Sequence, residues 1–229
     1  MVSTPIIRSK KRPDGALFKL LDGGGFMRSC LILSGGEFHP FTRFPGEFVI
    51  ACDRGYEYAL RCQITPDLVV SDFDSYSGPV AEGIPVNQFQ SEKDDTDTMI
   101  ALRYAAERGF EKARFVCAFG GRLDHTLANL QSAVWAEKHG LRVAIESPDT
   151  LIFSLRNGSL TLPRREGFSL SVFAMEDTCR GVSICGAKYE LDHVTLTSAF
   201  PLGVSNEWKS GPVEVSVEDG ILLIVLSKM

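Results

Sequence analysis

Five short clusters gather the residue types that could do chemistry. They are Ser34-Gly35-Gly36-Glu37, Asp53-Arg54-Gly55, Ser71-Asp72-Phe73-Asp74-Ser75, Glu92-Lys93-Asp94-Asp95-Thr96-Asp97 and Gly120-Gly121-Arg122-Leu123-Asp124-His125. Asp72 and Asp74 stand two apart where an irregular turn is expected, so both carboxylates can converge on one hard cation. Aspartates without histidine or cysteine neighbours suit Mg²⁺ better than zinc. The glycine pairs let backbone approach a phosphate closely. Arg122, beside Gly120 and Gly121, has the fork geometry to clamp a phosphate, and Lys93 and Arg54 add positive charge. Neither G-x-x-x-x-G-K-[ST] nor G-x-G-x-x-G is present, which excludes a P-loop and disfavours a dinucleotide fold. Any one of these aspartates taken alone is better explained as a turn former or helix cap. Their number and placement point to metal-dependent phosphoryl transfer, a chemistry of positioning and charge neutralisation.

The placement follows from the elements around them. Short apolar runs predict strands at Cys30–Leu33, Phe48–Cys52, Leu68–Val70, Arg114–Phe119, Arg142–Ile145 and Leu151–Ser154. Several are continuously apolar, as strands buried on both faces should be. A helix is expected over Thr96–Arg108, next to Asp95 as a natural N-cap and stopped by Gly109. A second is expected over Thr126–His139, with Leu127, Leu130 and Val134 on its apolar stripe. Alternating strands and helices predict a mostly parallel α/β sheet. Such a sheet binds ligands beyond its strands' carboxyl ends, where four of the five clusters fall. After residue 160 the runs FSLSVFAM, VSICG, YELDHVTL, PVEVSV and ILLIVL alternate or are β-branched, with turn residues between them. They predict an all-β antiparallel sandwich. The expected organisation is an atypical, disordered extension over 1–26, an α/β domain over 27–155 and a β-sandwich over 156–229.

The chain of 229 residues is 44% hydrophobic and carries a net charge of −5. That balance disfavours a nucleic-acid partner. No apolar run approaches the roughly 20 residues of a membrane span. Six cysteines without a C-x-x-C pair predict a reducing, cytoplasmic setting. His125 is a candidate base, although a surface histidine beside a capping Asp124 is an equal reading. Trp135 reads as core.

The motifs ACDRGYEYAL, PDLVVSDFDSYSG, EKDDTDTMIALRYA and GGRLDHTLANLQ resemble, in order and spacing, those of the thiamine pyrophosphokinases. SLSVFAMEDTCRGVSICGAKYELDHVTLTSAFPLGVSNEW resembles that family's thiamine-binding half, and the likeness runs from about Leu31 to Ile224. The resemblance implies a homodimer whose active site lies between the α/β domain of one subunit and the β-sandwich of the other. It implies Mg²⁺ on Asp53, Asp72, Asp74 and Asp97. ATP contacts are implied at Gly35, Gly36, Lys93, Gly120, Gly121 and Arg122, and an acid near thiamine at Asp124. Ser205 and Asn206 match the turn facing thiamine, and Tyr189 matches an aromatic in G-x-K-[YW]. Arg54 departs from the pattern: it stands where the family's A-D-G-G-A motif has a glycine.

The expected reaction transfers diphosphate from ATP to the thiamine hydroxyl, giving thiamine diphosphate and AMP. Asp124 is the first candidate for general base, and a hydroxyl needing no dedicated base is the second. Tyr189 or Trp208 would face the cationic thiazolium. Another Mg-dependent phosphotransferase or nucleotide hydrolase, or a non-catalytic sensor, are the alternatives.

Overall fold

The computed structural model describes residues 28–72, 76, 78–88 and 95–229. The extension over 1–26 and the candidates Asp74 and Lys93 lie outside the described residues. Six parallel strands form one block: β1 (Ser29–Leu33), β2 (Phe48–Cys52), β3 (Leu68–Ser71), β4 (Val86–Gln88), β5 (Lys112–Val116) and β6 (Arg142–Glu146). Their order is β4-β3-β2-β1-β5-β6, so the direction of winding reverses between β1 and β5. Three helices connect them: α1 (Gly55–Arg61), α2 (Asp97–Glu107) and α3 (Leu123–Lys138). α2 and α3 cover one face through a core that includes Ile32, Ile50, Leu102, Phe115 and Ala133. α1 covers the other face with Tyr56, Tyr58 and Ala59 against Leu31, Leu33 and Val49.

β7 (Thr150–Leu162) turns back antiparallel to β6 and pairs along its length with β12 (Val213–Lys228). β8 (Phe168–Ala174) pairs the second half of β12, and β9 (Cys179–Cys185) pairs its first half. β10 (Leu191–Leu196) extends β9, and β11 (Gly203–Asn206) extends β8. β7 and β12 therefore belong to both layers of an antiparallel sandwich. They bend where the register shifts between Val217 and Ile221, opposite Asn157 with φ +44°. The Asn157 carboxamide oxygen accepts from Gly220 N at 2.9 Å and secures the bend. Phe153, Leu162, Leu170, Val182 and Ile224 fill the space between the layers.

The expected fold class is the observed one, with local corrections. PVEVSV and ILLIVL are one bulged strand, because residues 218–220 bulge out of the ladder rather than turning the chain. The expected boundary at 155/156 falls within β7. The helix cap is Thr96, whose hydroxyl accepts from Met99 N at 3.2 Å; Asp95, one residue too early, pairs Arg103 instead. β5 ends at Val116 rather than Phe119, since Cys117 takes φ +53° and leaves the pleat. α3 starts at Leu123, and its buried stripe is Asn129, Ser132, Ala133, Ala136 and Glu137. Leu127, expected on that stripe, is exposed. Trp135, read as core, is half-buried against the α2–α3 cluster and stacks on His139.

Candidate active site

The loops after β1 and β5 meet at the point of reversal, the crevice where an α/β sheet takes its ligand. Three backbone bonds lace them together: Ser34 N to Val116 O at 3.1 Å, Gly36 N to Cys117 O at 2.8 Å and Glu37 N to Phe119 O at 2.7 Å. The lacing explains two glycines. A Cβ at Gly36 would lie 2.5 Å from Phe119 O, and one at Gly120 would lie 2.4 Å from Glu37 Cβ. Both are required by the chain's own close approach. Gly35 and Gly121 have no such collision. A Cβ at Gly35 would touch Arg54 Cβ at 3.5 Å, which places Arg54 beside the first glycine pair. Tyr58 donates to Gly36 O at 2.7 Å, and buried Asn129 donates to Ala118 O at 2.7 Å. Both side chains hold the loops, and neither was singled out in the sequence. The seven-residue α1 that carries Tyr58 is too short to show a period.

Asp53 closes β2 with φ +46°, a left-handed conformation that aspartate tolerates better than most residues. Its carboxylate is buried and accepts from Ser71 Oγ at 3.0 Å and Tyr76 N at 3.2 Å. Asp53 thereby ties the end of β3 at Ser71 to Tyr76. Asp72 directly follows β3, the neighbour of β2. Asp97 is the first residue of α2, whose start is fixed by a buried hydroxyl contact between Ser34 and Thr98 at 3.1 Å. Cys52 Sγ donates to Asp97 O at 3.6 Å. Burial, then Asp97 and Asp53, push the Cys52 thiol well up, so Cys52 stays protonated between the two acids. Asp53, Asp72 and Asp97 thus share one edge of the sheet. Among the described residues no three His, Cys, Asp or Glu side chains already converge on a single metal position. The donor set is all carboxylate, which fits a hard cation completing its shell with water and phosphate oxygens.

Arg122 and Asp124 bind each other. The guanidinium donates through Nε at 3.1 Å and Nη2 at 2.5 Å to the two carboxylate oxygens. Both side chains are exposed. The hydrogen bond from Arg122 holds the Asp124 carboxyl below its ordinary range, and Asp124 holds the guanidinium above its own. Asp124 lies in the first turn of α3 and the Arg122 side chain makes no cap bond. His125 is exposed, and its N–H donates to Asp124.

In the β half, Tyr189 is 62% exposed. Ser205 takes φ +60° and donates its N–H to Ser171 Oγ at 3.0 Å. Asn206 is buried and bonded to the backbone of Tyr189 and Glu207. Lys188 pairs Glu207 at 3.1 Å, and its Nζ lies 5.4 Å from the Tyr189 ring centre. Trp208 is half-buried against the sandwich core and donates to Leu162 O at 3.4 Å, so Tyr189 is the more available aromatic face.

Fold and site together define an α/β domain of the kind that takes a phosphorylated ligand at its switch point, continued into a β-sandwich with its own exposed aromatic turn. Residues 45–145 match the family model described as thiamin pyrophosphokinase, catalytic domain, and residues 159–222 match thiamin pyrophosphokinase, vitamin B1 binding domain. A thiamine pyrophosphokinase of Bacillus subtilis (strain 168) is 26% identical over 184 residues, covering 78% of this chain and 86% of that protein. A solved thiamine pyrophosphokinase from Bacillus subtilis superposes with a TM-score of 0.79 at 24% identity, over 87% of this chain and 99% of the other. A thiamin pyrophosphokinase family protein from Enterococcus faecalis gives 0.74 at 27% identity, over 88% and 99%. The chain belongs to the thiamine pyrophosphokinase family. Its reaction is accordingly the transfer of a diphosphate group from ATP to thiamine.

Proposed function

We propose that this transfer is carried out at the laced sheet edge, with ATP over the crevice between the ends of β1 and β5. The observation that carries the reading is the gathering of Asp53, Asp72 and Asp97 at two adjacent strand ends and a helix start beside that crevice. These three and Asp74 would hold Mg²⁺, which when bound neutralises phosphate charge. Gly35 and Gly121 offer bare backbone to the phosphates, and Arg54 and Lys93 add charge. Gly36 and Gly120 set the loop path that makes this possible. Arg122 reaches a phosphate by exchanging Asp124 for it, a swap between two anionic partners of the same fork. Asp124, held ionised by Arg122, is a weak base, so the thiamine hydroxyl loses its proton without a dedicated carboxylate.

Thiamine sits at the turn of Tyr189 and Ser205. Following the strand pairings, Asn206 lies level with Leu170, Leu226, Leu151, Glu146, Val116 and Leu33 in turn. The thiamine turn and the end of β1 are therefore at one height but six strands apart, roughly 29 Å along the sheet at about 4.8 Å per strand. Reacting atoms must approach to about 3–3.5 Å. With no strand neighbouring both places, the strand order supports a homodimer in which each acid edge meets the partner's thiamine turn. A cytoplasmic setting is in keeping with six unpaired cysteines.

The test is product analysis with thiamine, ATP and Mg²⁺. AMP and thiamine diphosphate in equal amounts, both lost on chelation, are expected. ADP with thiamine monophosphate would overturn the transferred group, and turnover persisting in a chelator would overturn the metal.

A further inference from the structure

The side chain of Asn206 is engaged inside the protein. Only 4% of the residue is exposed. Its Oδ1 accepts from Tyr189 N at 3.0 Å and from Glu207 N at 2.9 Å, and its Nδ2 donates to Tyr189 O at 2.6 Å. The first and third bonds form a two-point clamp on both backbone polar groups of one residue. That residue lies 17 positions away in the chain, between β9 and β10, with its ring exposed to solvent. The neighbouring backbone repeats the connection: Lys188 N donates to Glu207 O at 2.8 Å, and Ala187 bridges Trp208. Outside this seam the turn is spanned by the exposed Glu190, whose carboxylate accepts from Gly186 N at 3.0 Å, and Gly186 O accepts from Lys209 N at 3.3 Å. Lys188, Glu190, Glu207 and Lys209 are exposed, and their ion pairs Lys188–Glu207 and Lys209–Glu190 contribute little to order there.

We infer that Asn206 is a positioning residue for thiamine, setting the ring of Tyr189 through its backbone rather than contacting the ligand itself. The inference rests on the reading of the Tyr189 turn as the thiamine seat. Geometry supplies the reason. A carboxamide carries an acceptor and a donor on separate atoms of one rigid plane, so it can accept from a residue's N–H and donate to the same residue's C=O at once. With all three bonds made, Asn206 keeps one amide hydrogen to offer, and that from a buried atom.

The test is a kinetic cycle on the full chain, with Asn206→Ala, Tyr189→Ala, the double variant and Asn206→Asp, varying thiamine and Mg·ATP separately. Asn206→Ala is expected to raise the KM for thiamine about tenfold, as loss of buried polar contacts implies, with the KM for ATP unchanged within about twofold. In the Tyr189→Ala background the same change should add less than about twofold, since residues acting through one another are not additive. Asn206→Asp keeps the acceptor and loses the donor, so an intermediate rise is expected; it carries the test if the alanine variant fails to fold. A purely structural role would lower the melting temperature and the active fraction and leave the KM for thiamine unchanged, and that result overturns the inference. Full additivity with Tyr189→Ala also overturns it, because it would put Asn206 on the ligand. If Tyr189→Ala itself leaves the KM for thiamine unchanged, the thiamine seat is wrong and the inference falls with it.

Discussion

The acid edge of the α/β half and the Tyr189 turn of the β half are both built from connections between strands, but they are held differently. At the acid edge the strands deliver the residues. Asp53 and Asp72 leave adjacent parallel strands, Asp97 opens a helix, and backbone bonds lace the β1 and β5 loops. In the β half the strands end irregularly, with register shifts in both β9–β10 and β8–β11. There the aromatic is set by one buried carboxamide. At the acid edge topology places the charge, and side chains such as Tyr58, Asn129 and Ser34 hold the connecting loops. The placing of a single ring on an exposed turn needs a specific partner.

The contrast can be broken at the acid edge first. Asp72→Asn should reduce turnover at least about a thousandfold, since one carboxylate of the metal set is lost. Its urea midpoint should stay within about 0.5 kcal/mol of the parent, as for other partly exposed sites. Near-normal turnover would remove Asp72 from the metal set. The opposite pattern is expected from Arg114, which sits in the middle of β5 and serves the scaffold. Its side chain is 4% exposed and bonded to Glu47 at 2.8 Å and Glu146 at 2.9 Å. Arg114→Met leaves two buried carboxylates without their cation and should cost about 3–5 kcal/mol in urea unfolding. A loss below 1 kcal/mol would mean that the carboxylates find protons or water cheaply. The glycines come next. Gly36→Ala drives a methyl into the carbonyls of Phe119 and Cys117 and should cost about 3 kcal/mol. Gly121→Ala meets open space and pays only for φ +73°, about 1 kcal/mol. Equal costs would show that the lacing of the two loops is not what fixes Gly36.

The same contrast decides what was legible in the sequence. The acid edge could be read because short apolar runs mark the strands and polar clusters mark their ends, so position in the chain translates into position on the sheet. Reading failed where a side chain overrides the local pattern. Leu127 looks like part of the buried stripe of α3, yet it is exposed while Asn129 and Glu137 are buried, because they bond Ala118 O and Ser154. The EDG between PVEVSV and ILLIVL looks like a turn, yet Asn157 holds Gly220 from across the sheet. Asn206 looks like a ligand contact because it sits in the right motif. Its burial and its partner 17 residues away carry no local signal. In the sequence Arg122 and Asp124 look like separate agents, and only side-chain geometry reveals that each occupies the other.

The two halves are joined at a seam that gives the smallest expected effect and tests whether they act as one unit. Ser154 of β7 donates to Glu137 of α3 at 2.6 Å and accepts from Val143 N of β6 at 2.8 Å. Arg156 reaches the carbonyl of Glu137 at 3.4 Å. Burial raises the Glu137 carboxyl above its ordinary value, and the Ser154 bond only partly offsets this. A carboxyl raised on folding favours the folded state when protonated. Its contribution is full below the unfolded value and is lost as pH rises through the folded one. Glu137→Gln keeps an acceptor for Ser154 and removes the charge. The variant should therefore be slightly more stable than the parent at pH 7, and the difference should close as pH falls into the ordinary carboxylate range. Urea unfolding at pH 7 and in acid, followed by both far-ultraviolet dichroism and tryptophan fluorescence, measures it. Trp135 reports from α3 and Trp208 from the sandwich side. A single coincident transition means that the seam couples the halves. A fluorescence transition split from the dichroism would mean that the halves unfold separately, and a variant less stable than the parent at pH 7 would mean that Glu137 is held ionised by Arg142 and Arg156.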